Sequence, residues 1–214
     1  VSSPRDDAQR LDDLRALELL RPLLPEVYLP WTDASIRPAA LAAVCNDVVI
    51  RRRLRVVELG AGITTLVLAR LLAGAGGGLV TIEHDERWLA VVDGLVRRAG
   101  LARSVQLHHA GLVDGWYDRM AVAKALADAP GPVDLLLVDG PPAWRSGTEL
   151  ARWPAAEVFA PHLAPDATVV LDDVHRPGEQ EIVRQWHRDH GWPLTTRWAD
   201  DIAVAVLGGD DYAI

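Results

Sequence analysis

Cysteine is almost missing from this chain. Cys45 is the single one, which excludes an intrachain disulfide, and its neighbours Ala42, Ala43 and Val44 mark it as a packed core residue rather than a nucleophile. A reducing compartment, the cytoplasm, is the expectation that follows. No apolar run reaches the roughly 20 residues a membrane-spanning helix needs, so no membrane partner is expected. The stretch from Ser2 to Asp13 is acidic and polar, unlike a secretory signal. Basic charge is also short: 22 Lys and Arg stand against 30 Asp and Glu, a formal net charge of −8. That balance argues against a phosphate-binding surface and hence against nucleic acid, and it favours a small or neutral substrate. The one basic run, Arg51, Arg52 and Arg53 with Arg55, reads as a solvated helix terminus at the negative end of a helix dipole. Phenylalanine occurs once but tryptophan eight times, so bulky aromatics are available in loops to shape a pocket.

What is present is a large apolar fraction. With 214 residues, 50% of them hydrophobic, the chain can cover both faces of one sheet, and a single domain over 1–214 is expected. Residues 1–53 read as a helical N-terminal cap and 54–214 as an α/β core. Leu11, Leu14, Leu17 and Leu20 recur at near-helical spacing before Pro22 and Pro25. A loop from Val27 to Asp33, rich in proline and aromatics, leads into a second helix from Pro38 to Arg52. Thereafter strand and helix alternate: strands at Arg55–Leu59, Leu79–Glu83, Ser104–His108, Val133–Val138 and Thr168–Leu171, with helices between them. Asp85 reads as the cap of a helix whose Trp88, Val91, Val92, Leu95 and Val96 share one face, ending at Gly100. Thr195–Trp198 and Ile202–Leu207 are separated by too few residues for a helical crossover, so they must form an antiparallel hairpin.

The chemistry-bearing residues fall at successive strand ends. After the first strand stand Glu58, Gly60, Ala61, Gly62, Thr64 and Thr65. The two glycines let backbone amides approach a ligand closely. Glu83, ending the second strand, is placed to accept hydrogen bonds from two ribose hydroxyls, which fits either a dinucleotide or another nucleoside. His84 follows it, as a ring beside a base or as a plain surface residue. The fourth strand ends in Asp139, Gly140, Pro141 and Pro142, and the fifth in Asp172, Asp173, Val174 and His175. Carboxylates after such apolar strands sit at the carboxyl edge of the sheet, where open α/β folds bind ligands.

This ordered set resembles the class I S-adenosylmethionine-dependent methyltransferases, in particular small-molecule O-methyltransferases of the catechol type. The resemblance runs from about Thr32 to the end of the chain and implies a doubly wound, Rossmann-like sheet of seven strands, mostly parallel, with the C-terminal antiparallel hairpin. It implies S-adenosylmethionine held by Glu58, Gly60, Ala61, Gly62, Thr64, Thr65, Glu83 and His84, the adenine at Ala110, and Asp139 near the methionine moiety. Asp139, Asp172 and Asp173 resemble the trio that binds a divalent ion in catechol-type enzymes, with Asp173 in place of Asn. Such oxygens suit magnesium, although the same residues can hydrogen-bond the loops or the substrate without metal. His175 is the candidate general base, with an unperturbed pKa of about 6.5, against a reading as a satisfied histidine behind the site. Trp144 and Trp153, with residues from Tyr28 to Asp33, are candidates to line a small-molecule acceptor pocket, and core packing is the alternative for each tryptophan. Two other functions fit parts of the pattern. A nicotinamide-dependent oxidoreductase is disfavoured by Thr65, where close helix packing wants Gly or Ala, and by the hairpin. A non-catalytic S-adenosylmethionine-binding domain shares every cofactor residue.

Overall fold

The computed structural model describes residues 4–208, apart from Val27, Leu29, Asp33, Ala129, Pro130, Trp198, Ala199 and Asp200. Two helices come first, α1 (Pro4–Leu20) and α2 (Pro38–Ile50). Pro22 falls in a short 3-10 turn directly after α1, and Pro38 opens α2, where its missing N–H costs nothing. There follow β1 (Arg55–Leu59), α3 (Ile63–Ala75), β2 (Gly78–Glu83), α4 (Glu86–Arg98) and β3 (Val105–His109). A small hairpin, β4 (Leu112–Val113) and β5 (Trp116–Tyr117), precedes α5 (Arg119–Ala127) and β6 (Val133–Val138). The chain continues with α6 (Pro154–Phe159), β7 (Leu163–Leu171), α7 (Pro177–His190), β8 (Thr195–Arg197) and β9 (Ile202–Val206). The β4–β5 hairpin is absent from the sequence reading, because two-residue strands carry no periodicity.

Seven strands form one sheet in the order β3-β2-β1-β6-β7-β9-β8. The first five are parallel, and β9 runs antiparallel to both β7 and β8. The expected C-terminal reversal is therefore present, with its turn residues 198–200 outside the described residues.

Each central strand buries both faces, as parallel strands covered by helices must. Val56, Leu135 and Leu137 pack with α2, α3 and α4, while Val57, Leu136 and Val138 pack with α5, α6 and α7. In α4, Val92, Leu95 and Val96 are buried but Val91 is 45% exposed, so the apolar stripe is narrower than its sequence implied.

The basic run is solvated only in part: Arg52 and Arg55 are exposed. Arg53 is buried, and its guanidinium meets Asp47 on α2 and, on β7, the Asp166 carbonyl at 2.6 Å and Thr168 Oγ1 at 3.0 Å. Arg51 lies 3.1 Å from Asp47. Cys45 packs in the core of α2, where burial pushes its thiol up to about 12. No helix among the described residues is long and apolar enough to cross a membrane.

The strand order reverses direction between β2 and β6, on either side of β1. This is the switch point where doubly wound sheets open a crevice. The backbone ladder steps across its carboxyl edge through Gly60 N to Ile82 O, Asp139 N to Leu59 O, and Asp172 N to Val138 O. The loops after β2, β1, β6 and β7 thus converge on one site.

Candidate active site

A cavity of about 360 Å³ lies over this edge. Its floor is Gly60, Ala61, Gly62 and Thr64 with Glu83, His84 and Asp85, and its far side is Asp139, Gly140, Trp144, Arg152, Asp173 and Arg176. Thr32, Ala34, Ser35 and Ile36, from the segment before α2, contribute to its rim.

The two glycines of the first loop serve different needs. Gly60 has φ +93°, and a Cβ there would lie 2.8 Å from the Asp139 carbonyl oxygen, so the close approach of the β1 and β6 loops itself requires glycine. Gly62 is extended, and a Cβ on it would meet no protein atom within 4 Å. The open space above Gly62 belongs to the cavity.

Glu83 ties the floor together. One carboxylate oxygen accepts the Ala61 amide at 2.9 Å; the other accepts the His84 and Asp85 amides at 2.7 and 2.8 Å. Burial opposes ionisation, but these bonds, with the His84 ring at 2.7 Å, hold its carboxyl below the usual range. The same contact raises the His84 pKa. Asp85 caps α4 as read, accepting the Arg87 and Trp88 amides. Trp88 Nε1 donates to the Ala61 carbonyl at 2.7 Å, fixing the loop from above.

Glu58 lies beneath the loop and does not line the cavity. Its Oε2 accepts Thr65 Oγ1 at 2.6 Å and Thr81 Oγ1 at 2.7 Å, while Oε1 is buried without a hydrogen-bond partner. Burial raises its pKa to about 7 against the lowering effect of neighbouring threonine hydroxyls. Thr65 is fully buried and also accepts the Gly62 amide, so it braces the loop, whereas Thr64 faces the cavity. Ala110 is likewise off the wall, its amide donating to the Glu83 carbonyl.

On the far side the three aspartates come together, with ligand oxygens of Asp139, Asp172 and Asp173 within 4.8 Å of one another. Burial raises the Asp139 pKa to about 7 and lifts Asp172 well above the carboxylate range. Asp173 sits at φ +63°, the left-handed region that Asn and Asp tolerate better than other side chains. The trio is not an open set of oxygens. The buried guanidinium of Arg152 lies 3.2 Å from Asp139 Oδ1 and 2.9 Å from Asp173 Oδ2, and Arg176 is 2.8 Å from the same Asp173 oxygen. Neither arginine is flagged by the sequence, since Arg152 lies in an ordinary Leu-Ala-Arg-Trp-Pro stretch and its partners stand 11 or more residues away along the chain.

His175 pairs through Nδ1 with Asp201 at 3.2 Å, and Asp201 faces Arg37 at 3.9 Å. It is half exposed and does not line the cavity. Trp144 does line it; Trp153 instead packs in the core and accepts Trp186 Nε1 through its carbonyl. Of the segment from Tyr28 to Asp33, Thr32 reaches the cavity, Tyr28 is exposed, and Val27, Leu29 and Asp33 are outside the described residues. Tyr117, from the unforeseen hairpin, adds a buried hydroxyl with no partner to the lining.

Residues 57–174, which carry the Gly60–Gly62 loop, Glu83 and the three aspartates, match the model of a family described as methyltransferase domain. The chain belongs to that family. Among curated proteins, this methyltransferase domain is 31% identical over 129 residues to a catechol O-methyltransferase of Niastella koreensis, covering 58% of the chain. It spans 51% of that relative's own length. Among solved structures it is similar to the S-adenosylhomocysteine-bound methyltransferase PaMTH1 of Podospora anserina (TM-score 0.68, 13% identity, 98% of each chain). It is also similar to the O-methyltransferase TomG of Streptomyces achromogenes in complex with S-adenosylmethionine (TM-score 0.60, 20% identity, 92% of this chain and 90% of that one). These likenesses extend the shared fold over nearly the whole chain.

Proposed function

We propose that this chain transfers the methyl group of S-adenosylmethionine to a hydroxyl oxygen of a small molecule. The observation that carries the reading is the convergence of the Gly60–Gly62 loop, Glu83 and the Asp139 loop on one cavity at the switch point of the sheet. The catechol O-methyltransferase relative and the cofactor-bound structural neighbours support it.

The residues fit such a donor. The space over Gly62 admits a ligand where any side chain would intrude, and Glu83 is a charged acceptor facing the cavity for a pair of ribose hydroxyls. The unpartnered Oε1 of Glu58 places negative charge directly under the loop, which favours an ammonium group above it. The donor, once bound, supplies an already activated methyl on a sulfonium. What remains for the protein is alignment, exclusion of water and acceptance of one proton.

Alignment falls to the loop backbone below and to Trp144, Tyr117, Thr32, Ala34, Ser35 and Ile36 around the cavity. For the proton, Asp139 is the cavity-lining group whose pKa of about 7 suits it to a hydroxyl near neutral pH. His175, held by Asp201 through Nδ1 and lying off the cavity wall, is the second candidate base.

Methyl transfer from a methyl-labelled donor to a panel of phenols, alcohols and amines of similar size tests the reading. Label in ether products is expected. Label confined to amines would contradict the oxygen assignment.

A further inference from the structure

We propose that Arg152 takes the place of a divalent cation among Asp139, Asp172 and Asp173, so that this site works with a fixed guanidinium and without metal. Five contacts hold the group. Nη2 meets Asp139 Oδ1 at 3.2 Å, the Asp139 carbonyl at 3.3 Å and Asp173 Oδ2 at 2.9 Å; Nη1 meets the Asp172 carbonyl at 3.1 Å; Nε meets the Pro141 carbonyl at 3.3 Å. The side chain is 3% exposed. A guanidinium offers a planar fork of donors and keeps its charge at any working pH.

Its position coincides with the point a metal would need. The carboxylate oxygens lie within 4.8 Å of one another, close enough to share an ion, and Nη2 bridges two of the three carboxylates. Arg176 brings a second positive charge to Asp173 Oδ2 at 2.8 Å, and both arginines stand within 4 Å of Glu179. An added dication would face two permanent cations at contact range. Arg152 cannot swing aside cheaply either, because leaving would strand the carbonyls of Asp139, Pro141 and Asp172 inside the protein.

Two consequences follow. Arg152 is a positioning residue that pins the loops after β6 and β7 in the arrangement that shapes the cavity. The acceptor meets hydrogen-bonding groups rather than a chelating ion, so an isolated hydroxyl suffices and a vicinal pair is not required. This second point rests on the proposed methyl transfer; the metal claim does not.

The test is titration of the chelator-treated full chain with Mn²⁺, followed by isothermal calorimetry, for the native protein, Arg152→Ala, and Arg152→Met, which keeps more of the side-chain volume. The native chain is expected to take up no Mn²⁺ at 1:1 below about millimolar concentrations, where carboxylate sites commonly bind. The Arg152 variants, left with uncompensated carboxylates, are expected to bind it at least tenfold more tightly. Stoichiometric Mn²⁺ binding by the native chain, abolished by Asp173→Asn, would overturn the proposal. Because this readout needs neither donor nor acceptor, it stands or falls separately from the methyltransferase reading. In an active preparation, methylation of a single-hydroxyl acceptor should be unchanged by chelator, and a chelator-sensitive rate restored by Mg²⁺ would also overturn it.

Discussion

Glu83 carries two duties at once, ordering the floor of the cavity and presenting a carboxylate to it. Glu83→Ala removes the acceptor of three backbone amides, and leaving such donors unpaired costs about 1–3 kcal/mol each where water cannot reach them. S-adenosylhomocysteine affinity should fall at least tenfold in calorimetry, with a lower thermal midpoint. Glu58 makes a pH prediction. Its carboxyl is protonated in the free protein below about 7, and an ammonium group bound above it favours the charged form. Binding below that pH must therefore release a proton, so affinity should climb with rising pH and level off above about 7. Glu58→Gln should flatten the profile measured between pH 5.5 and 8.5. The sign is opposite for stability: a pKa raised above that of the unfolded chain means that the folded state loses ground as pH rises from about 4.5 to about 7 and levels off above it, which urea titration of the ligand-free protein can register.

At the scale of elements, the loop between β1 and α3 makes a paired prediction. Gly60→Ala combines a positive φ with a Cβ 2.8 Å from the Asp139 carbonyl, and should cost about 1–3 kcal/mol of stability. Gly62→Ala meets no protein atom and should leave stability within about 0.5 kcal/mol. It should nevertheless weaken donor binding, since its methyl group projects into the cavity. Such differences explain what was legible in the sequence. Strand ends are fixed by short apolar runs that stop at glycine or a carboxylate, so Glu58, Glu83, Asp139 and Asp172 are found from local pattern alone. Which of them faces the cavity depends on the direction of each side chain at the strand end. Glu58 and Thr65 turn under the loop, and no one-dimensional spacing reveals that. Arg152 was invisible for a related reason: Asp139 and Pro141 stand 13 and 11 residues back in its own loop, and Asp172 and Asp173 reach it from the loop after β7. The burial of Arg53 within the basic run went unread for the same reason, because its partners Asp166 and Thr168 lie far along the chain.

Across the whole molecule, the N-terminal helices are fastened to the sheet by charge as well as by the apolar face of α2. Arg53 bridges the end of α2 to β7 from a buried position. Arg37 joins Asp13 of α1 at 2.7 Å and faces Asp201 next to β9. Losing one partner of a buried ion pair typically costs about 3–5 kcal/mol. Arg53→Ala should therefore shift the urea midpoint sharply, with a single transition if the cap and the sheet unfold together. Since Thr32, Ala34, Ser35 and Ile36 rim the cavity, donor binding should stabilise the cap and the core alike. The measurement that reaches the central claim most directly is isothermal titration of purified, ligand-free protein with S-adenosylhomocysteine, run beside NADH and beside Glu83→Ala. Binding at one site near micromolar, lost with Glu83→Ala and not reproduced by NADH, is the predicted result; well-folded protein that takes up NADH, or neither ligand, would contradict the account.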